Sequence, residues 1–223
     1  PLSGRIEYYR YERPEDIAAQ TGVYASGLTR VGGAVVHSTL DYHPHELVHA
    51  VAGRLGDPGR FFHEGLAVAV GDEGRWGGRD VHELARARAG TLAWRALRQV
   101  FERHDADTAY PLAGSFVKHL IEADGLPRVV AFFRACPAGG TRVEAAFRAT
   151  FARSLEDALA HWQERLGAGR KEFPTHRNAS RVAPAAAGVG APRNVLGDLR
   201  LAPAAAVGTG PAMKTVSGGG DGE

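Results

Sequence analysis

The stretch Pro44-His45-Glu46-Leu47-Val48-His49-Ala50-Val51-Ala52 decides which fold this chain is expected to adopt, because it contains the pentad H-E-x-x-H. On an α-helix, side chains four residues apart lie one above the other, so His45 and His49 can direct both imidazoles toward one point. Glu46 projects about 100° round the same turn and stands beside that point. The same helix has an apolar face that would bury it, made of Leu47, Val48 and Val51.

A second acidic group follows after a short turn. The glycines and proline of residues 53–59 end the first helix and let the chain return, and residues 61–67 are predicted to begin another helix that carries Glu64. Two imidazoles, a carboxylate and one open position make up a catalytic zinc centre. The sequence therefore predicts that His45, His49 and Glu64 bind Zn²⁺. In the alternative interpretation, both histidines are exposed on an amphipathic helix that binds no metal.

Composition excludes several other classes of protein. The single cysteine, Cys136, rules out an intrachain disulfide framework and a cysteine-based zinc site, and it is expected to be a small buried residue. Residues 169–223 carry a net charge of +3, which leaves residues 1–168 near −1 out of the chain's +2. A nucleic-acid partner is therefore not expected. No apolar run approaches the length that a membrane span requires.

The pattern along the chain predicts an α+β fold that is mainly helical. Aromatic residues at 6–11 indicate a strand, residues 14–20 a short helix that Gly22 ends, and residues 29–38 a hairpin with its turn at Gly32-Gly33. From residue 80 onward the apolar spacing is helical. We expect a small N-terminal β-sheet followed by a helical bundle, with the metal helices at the junction. The helices are predicted at 80–104, 108–124, 126–135, 141–152 and 154–166.

Two regions of different character divide the chain. Residues 1–168 are predicted to form one folded domain. Residues 169–223 are rich in Ala, Gly and Pro and are predicted to be largely disordered, because they offer too little apolar surface to offset the entropy of ordering. The chain begins with Pro1 rather than Met, and we interpret it as a processed or partial form.

The region around the pentad resembles the gluzincin metallopeptidases, and within them the peptidase MA-like branch of the thermolysin clan. The resemblance rests on His45-Glu46-x-x-His49 and on Glu64-Gly65-Leu66-Ala67, with a looser similarity over residues 110–120 and at Gly125. It implies that Glu64 is the third zinc ligand. It also implies a thermolysin-like zincin catalytic domain, with sheet and helices in two parts, that hydrolyses peptide bonds.

The chemistry expected of this centre gives two further residues a role. Zinc lowers the pKa of a bound water to about 7, and Glu46 is the expected general base that takes its proton and passes it to the leaving amine. Gluzincins often direct a phenol or imidazole at the tetrahedral intermediate, so Tyr110 is the candidate oxyanion donor and His119 the next. Alternatively, Tyr110 packs at a helix start with its hydroxyl in water.

The chain departs from the family pattern in ways that leave alternatives open. The interval from His49 to Glu64 is shorter than in thermolysin, and no Gly-x-Met-Glu-Asn segment of the exopeptidases is present. His63 could compete for the metal. It directly precedes Glu64 on the same predicted helix, however, so its side chain should point about 100° away from that of Glu64. Asp72 could orient a ligand imidazole. Residues 33–36 could be an edge strand that pairs with substrate, or equally an ordinary strand of the sheet. We expect His37 and His43 to face solvent or to support the ligands.

The sequence thus favours a zinc-dependent peptidase acting on a peptide or protein, with no membrane span. The metal chemistry is shared with hydrolases of other amides or esters, so these remain an alternative. A zinc-binding domain without catalytic activity is another, although it would have no need of Glu46. The habit of the family and the start at Pro1 favour export to the periplasm, the cell envelope or the medium.

Overall fold

The N-terminal part of the chain forms a three-stranded sheet. The computed structural model describes residues 4–89, 92–137 and 142–168. The strands β1 (Glu7–Arg10), β2 (Gly27–Thr29) and β3 (Val35–Ser38) lie in the order β1-β3-β2. The middle strand, β3, pairs parallel with β1 and antiparallel with β2, so the hairpin predicted at 29–38 is confirmed.

A short helix, α1 (Pro14–Thr21), connects β1 to β2. It ends at Gly22, whose φ of 77° is the left-handed conformation that glycine adopts without strain. The backbone N–H of Gly22 donates to the carbonyl of Ala18 at 2.8 Å and satisfies one carbonyl of the last turn. The helix predicted at residues 14–20, with Gly22 as its end, is therefore confirmed.

The two helices predicted to hold the metal follow the sheet. Helix α2 (Pro44–Ala52) begins with proline in its first turn, where the missing N–H costs nothing. Helix α3 (Arg60–Leu66) continues directly into a π-helical turn (Ala67–Gly71). This turn packs against the start of α2 so closely that a Cβ on Gly71 would lie 2.8 Å from the Cα of His45. The contact fixes how α2 and α3 face one another.

The next segment contains a small hairpin, β4 (Arg75–Trp76) and β5 (Arg79–Asp80), and three short helices. The prediction of one helix over 80–104 is wrong. The structure has α4 (Val81–Arg86), α5 (Trp94–Leu97) and α6 (Val100–Arg103) instead. The residues that reach the core are spaced three to five apart, which imitates a helical period although turns separate the helices. They are Val81, Ala85, Ala89, Trp94, Leu97 and Val100.

Four longer helices form the bundle and enclose the main core. They are α7 (Ala106–Asp124), α8 (Leu126–Arg134), α9 (Val143–Phe151) and α10 (Leu155–Ala168), close to the predicted bounds. The apolar residues at helical spacing on α10 are buried, and Trp162 among them packs edge-on to Phe116 of α7 at 5.5 Å. Pro111 lies inside α7, where it cannot donate to the carbonyl of Asp107, and Arg88 donates to that carbonyl at 3.1 Å instead.

The expected fold class is confirmed at this level: the described chain is mainly helical and carries a small sheet. Cys136 is buried, as expected, and its burial raises the pKa of the thiol to about 11. The predicted tail, residues 169–223, lies outside the described residues. Within the described part of the chain, no helix is both long and apolar enough to cross a bilayer.

Candidate metal centre

Three side chains from α2 and α3 converge on one point. The Oε2 atom of Glu64 lies 3.4 Å from Nε2 of His45 and 3.2 Å from Nε2 of His49. Ligands at about 2.0–2.1 Å from a tetrahedral zinc ion would be about 3.3–3.4 Å apart. The three predicted ligands therefore form a group that could hold a metal ion of this size, and all three side chains are largely buried.

Asp72 orients the first imidazole. Its Oδ2 lies 2.7 Å from Nδ1 of His45, at the end of the π-helical turn. A carboxylate on Nδ1 fixes the tautomer whose Nε2 lone pair is free for a metal. Burial opposes protonation of His45, but the hydrogen bonds with Asp72 and Glu64 outweigh it and raise the pKa of the metal-free imidazole to about 10. Metal binding must therefore release a proton.

Glu64 is charged in this environment. Burial alone would raise the pKa of its carboxyl, but the hydrogen bonds from His45 and His49 lower that pKa far below its usual range. The other carboxylate oxygen, Oε1, lies 3.6 Å from Nε of Arg60, one helical turn earlier on α3. Glu64 thus holds a full negative charge between two imidazoles, as a metal ligand requires.

Glu46 lies beside the three candidate ligands and lines the same cavity. Only 7% of it is exposed, and this burial raises the pKa of its carboxyl. A carboxylate of raised pKa is a stronger proton acceptor than an exposed one. Strand β2 covers it closely: a Cβ on Gly27 would lie 2.8 Å from Cγ of Glu46, and Thr29 Oγ1 donates to the backbone carbonyl of Glu46 at 3.1 Å.

The site opens into a cavity of about 470 Å³. Helices α2 and α3 form its floor, β2 runs along one wall, and the β4–β5 hairpin forms another. Seven residues singled out from the sequence line it, although they come from widely separated positions. They are His43, His45, Glu46, His49, Glu64, Asp72 and Tyr110.

Tyr110 reaches the cavity from α7 and is only 5% exposed. Its ring stacks on Trp76 at 4.4 Å with an interplanar angle of 8°, and it meets the edge of Phe101 at 5.1 Å. The ring centre lies 6.1 Å from that of His45. Burial and the charge of Glu64 raise the pKa of the phenol, so Tyr110 stays a neutral hydrogen-bond donor beside the candidate metal site.

Other histidines considered from the sequence have different surroundings. His63 points into the core, where its ring meets Phe133 edge-on at 5.2 Å, and it is not part of the metal-binding group. His119 lines a separate cleft with Trp162.

His43 lines the main cavity, bonds Ser38 Oγ through Nδ1 at 2.9 Å, and has its pKa lowered to about 4 by burial. His37 lies on β3, with Nδ1 2.8 Å from the hydroxyl of Tyr11.

Of the two possibilities considered for residues 33–36, the structure shows an ordinary internal strand at Val35 and Val36 and not an edge strand. Strand β3 lies between its two neighbours, because β1 pairs with it from the other side after the α1 connection. The two edges of the sheet are β1 and β2, and residues 27–29 of β2 line the cavity. Such an arrangement depends on a pairing between distant segments, which the local pattern does not encode.

The residues of the cavity wall that sequence reasoning missed include Arg60, Arg75 and Trp76. Arg60 could have been found, since it lies four residues before Glu64 on the same helix. Nothing in the local pattern marks Arg75 or Trp76, because the hairpin that carries them reaches the cavity only through tertiary packing.

No family model, curated protein or solved structure matches the chain.

Proposed function

We propose that the protein is a zinc-dependent peptidase of the gluzincin type, with Glu46 as its general base. The observation that carries the proposal is the convergence of His45, His49 and Glu64 in an open cavity that Glu46 also lines. A site that only bound zinc for structural reasons would need a fourth protein ligand and no free acid. Here His45, His49 and Glu64 line an open cavity, which would leave a fourth ligand position of a bound ion to water or substrate, and the buried carboxylate of Glu46 lines the same cavity.

The donor set favours zinc. Two imidazole nitrogens and one carboxylate oxygen, with the oxygen 3.2–3.4 Å from each nitrogen, suit a tetrahedral ion with one position left for water or substrate. When bound, zinc would make water more acidic and polarise a carbonyl group. The carboxylate of Asp72 holds His45 in the orientation that this requires.

Two residues of the chain would move or hold protons. Glu46 accepts a proton from the attacking water and returns it to the amine that leaves. Its burial favours the first step, because a raised pKa makes the carboxylate a stronger proton acceptor. Tyr110 donates its phenolic hydrogen to the oxygen that becomes negative at the tetrahedral carbon, and its neutral state at this position supports that role.

The edge strand favours an extended peptide as the substrate. Strand β2 pairs on one side with β3 and has no further strand beside it among the described residues. Its residues 27–29 run along the cavity wall next to Glu46. A peptide could add to this edge through backbone hydrogen bonds and present one carbonyl to the metal centre. The sheet followed by metal helices also accords with a thermolysin-like zincin domain, which we propose as the finer description of the fold.

The test combines elemental analysis with digestion of a peptide library, with and without a chelator. We expect bound zinc, cleavage that the chelator abolishes, and a fall in turnover of about 10²–10⁴-fold in Glu46→Gln with zinc content unchanged. The control is Glu164→Gln on the exposed face of α10, which should behave as the parent. Zinc without any cleavage would favour a binding domain, full activity of Glu46→Gln would remove Glu46 from the mechanism, and protein that takes up no zinc would end the proposal.

A further inference from the structure

The acidic and the basic side chains that line the cavity differ in whether the proposed mechanism gives them a role. Three carboxylates and two arginines line it. Glu64 lies between two imidazoles and Asp72 is bonded to His45, while Glu46 is buried against β2. Each of the three acids therefore has a partner or a role within the site. Arg60 and Arg75 have no comparable role in the proposed mechanism.

Arg60 is held in place by an aromatic face. Its guanidinium carbon lies 4.5 Å from the centre of the Phe101 ring, and the phenol of Tyr110 is its polar neighbour. Its ion-pair partner among the described residues is Glu64, at 3.6 Å, beyond normal hydrogen-bond distance. Glu64 is also the proposed metal ligand. A guanidinium has five N–H donors, so Arg60 keeps donors for a further acceptor.

Arg75 lines the same cavity from the hairpin, on strand β4. It donates to the backbone carbonyl of Gly78 at 3.2 Å, which closes the hairpin, and no acidic side chain of the described chain lies within ion-pair distance of it. Arg79, on strand β5 of the same hairpin, differs from Arg75 both in its charged partner and in its position relative to the cavity. Its guanidinium pairs with Glu83 at 2.6 Å, and it does not line the cavity.

We propose that Arg60 and Arg75 form a carboxylate-binding subsite, and that the preferred substrate of the enzyme is an acidic peptide. The inference rests on the proposed peptidase function. Guanidinium groups bind carboxylates through paired, charge-assisted hydrogen bonds, and they do so more strongly in a partly enclosed cavity than in open water. The carboxylate comes either from an acidic side chain or from the free C-terminus of the peptide.

A binding experiment tests the subsite without needing turnover. Zinc-loaded Glu46→Gln protein is titrated with peptides blocked at both ends that differ by Glu or Gln at one position. A second pair differs by a free or an amidated C-terminus. We expect at least about tenfold tighter binding of the acidic member of one pair, and loss of that preference in Arg75→Gln. The pair that shows the preference identifies the source of the carboxylate.

The matched control is Arg79→Gln, on the same hairpin, which should keep the full preference. Equal binding of both members of each pair, or an equal loss in Arg75→Gln and Arg79→Gln, would overturn the subsite. Arg60→Gln should also lose the preference, and Arg60→Lys should restore part of it. Because Arg60 lies near Glu64, zinc content is measured in both variants, and loss of zinc instead of preference would give Arg60 a structural role only.

Cleavage by the parent then separates the two proposals. If acidic peptides are cleaved, Arg75→Gln should raise KM for them about tenfold and leave kcat nearly unchanged, as expected when a binding contact is lost. If the parent cleaves without any preference for charge, the subsite falls and the peptidase stands. If it binds acidic peptides selectively but cleaves none, the peptidase falls and the subsite stands.

Discussion

Two clusters of histidines, made of similar groups, occupy different parts of the molecule. The first, the metal cluster, contains His45 and His49 with Glu64 and Asp72. The second, the α7 cluster, contains His82, His119 and His161 with Glu122 and Ser115. In the first, two Nε2 atoms lie within 3.4 Å of a single carboxylate oxygen. In the second, Ser115 Oγ bonds Nδ1 of His82 at 2.8 Å, and Glu122 lies 3.4 Å from its Nε2.

The difference shows that convergence of nitrogen atoms, and not the number of histidines, makes a candidate metal site. The rings of His119 and His161 meet edge-on at 5.1 Å, and Ser115 also accepts from Trp162 Nε1 at 2.9 Å. Each group of the α7 cluster thus has a different neighbour. Charge separates the clusters as well. Acids raise the pKa of His45 to about 10, whereas burial and nearby cations lower that of His119 to about 4.

The largest expected effect comes from removing the shared carboxylate of the metal cluster. Glu64→Ala deletes one of three protein ligands together with its negative charge. Zinc affinity, measured by chelator competition, should fall by more than about 100-fold, beyond the range for groups that only support a ligand. Glu122→Ala, the matched change in the α7 cluster, should leave zinc affinity as in the parent. Equal affinities of the two variants would reject the ligand assignment.

A smaller effect is expected at the carboxylate that supports a ligand. Asp72→Ala leaves the three ligand atoms in place but removes the acceptor from Nδ1 of His45. Zinc affinity should fall by about 10–100-fold, since the ring loses both its fixed tautomer and a neighbouring negative charge. The same competition assay measures it, and Glu122→Gln in the α7 cluster serves as the control. A loss as large as that of Glu64→Ala would mean that Asp72 is itself a ligand.

The metal cluster could be largely predicted from sequence because its information is local. His45 and His49 are related by one helical turn, and Glu64 follows a short return. Asp72 was harder to place, since a π-helical turn at residues 67–71 lies between it and Glu64. A pattern that assumes 3.6 residues per turn does not include such an interruption.

The parts that could not be predicted depend on contacts between distant segments. The edge position of β2 follows from the parallel pairing of β1 with β3, and local alternation does not encode strand order. Trp76, on strand β4, enters the site by stacking on Tyr110 of helix α7. The α7 cluster, likewise, joins α4, α7 and α10. The break within 80–104 was missed because the apolar spacing alone resembles that of a helix.

The smallest expected effect lies in the α7 cluster and concerns pH. His119 is only 1% exposed, and this burial is the main cause that lowers its pKa from 6.5 to about 4. The positive charges of nearby side chains lower the pKa further; these are His161, Arg165, His82 and Arg153. The folded state therefore binds fewer protons than the unfolded state between these values, so stability is lost as pH falls from about 6.5 toward 4. At pH 5 the loss should be about 2 kcal/mol relative to pH 8.

In metal-free protein, His119→Leu should lack this part of the pH dependence of the free energy of unfolding, measured with urea at both pH values. Val117→Ala, a buried change on the same helix, should lower stability equally at both. An unchanged pH dependence in His119→Leu would show that the imidazole accepts a proton in the folded protein as readily as in the unfolded chain.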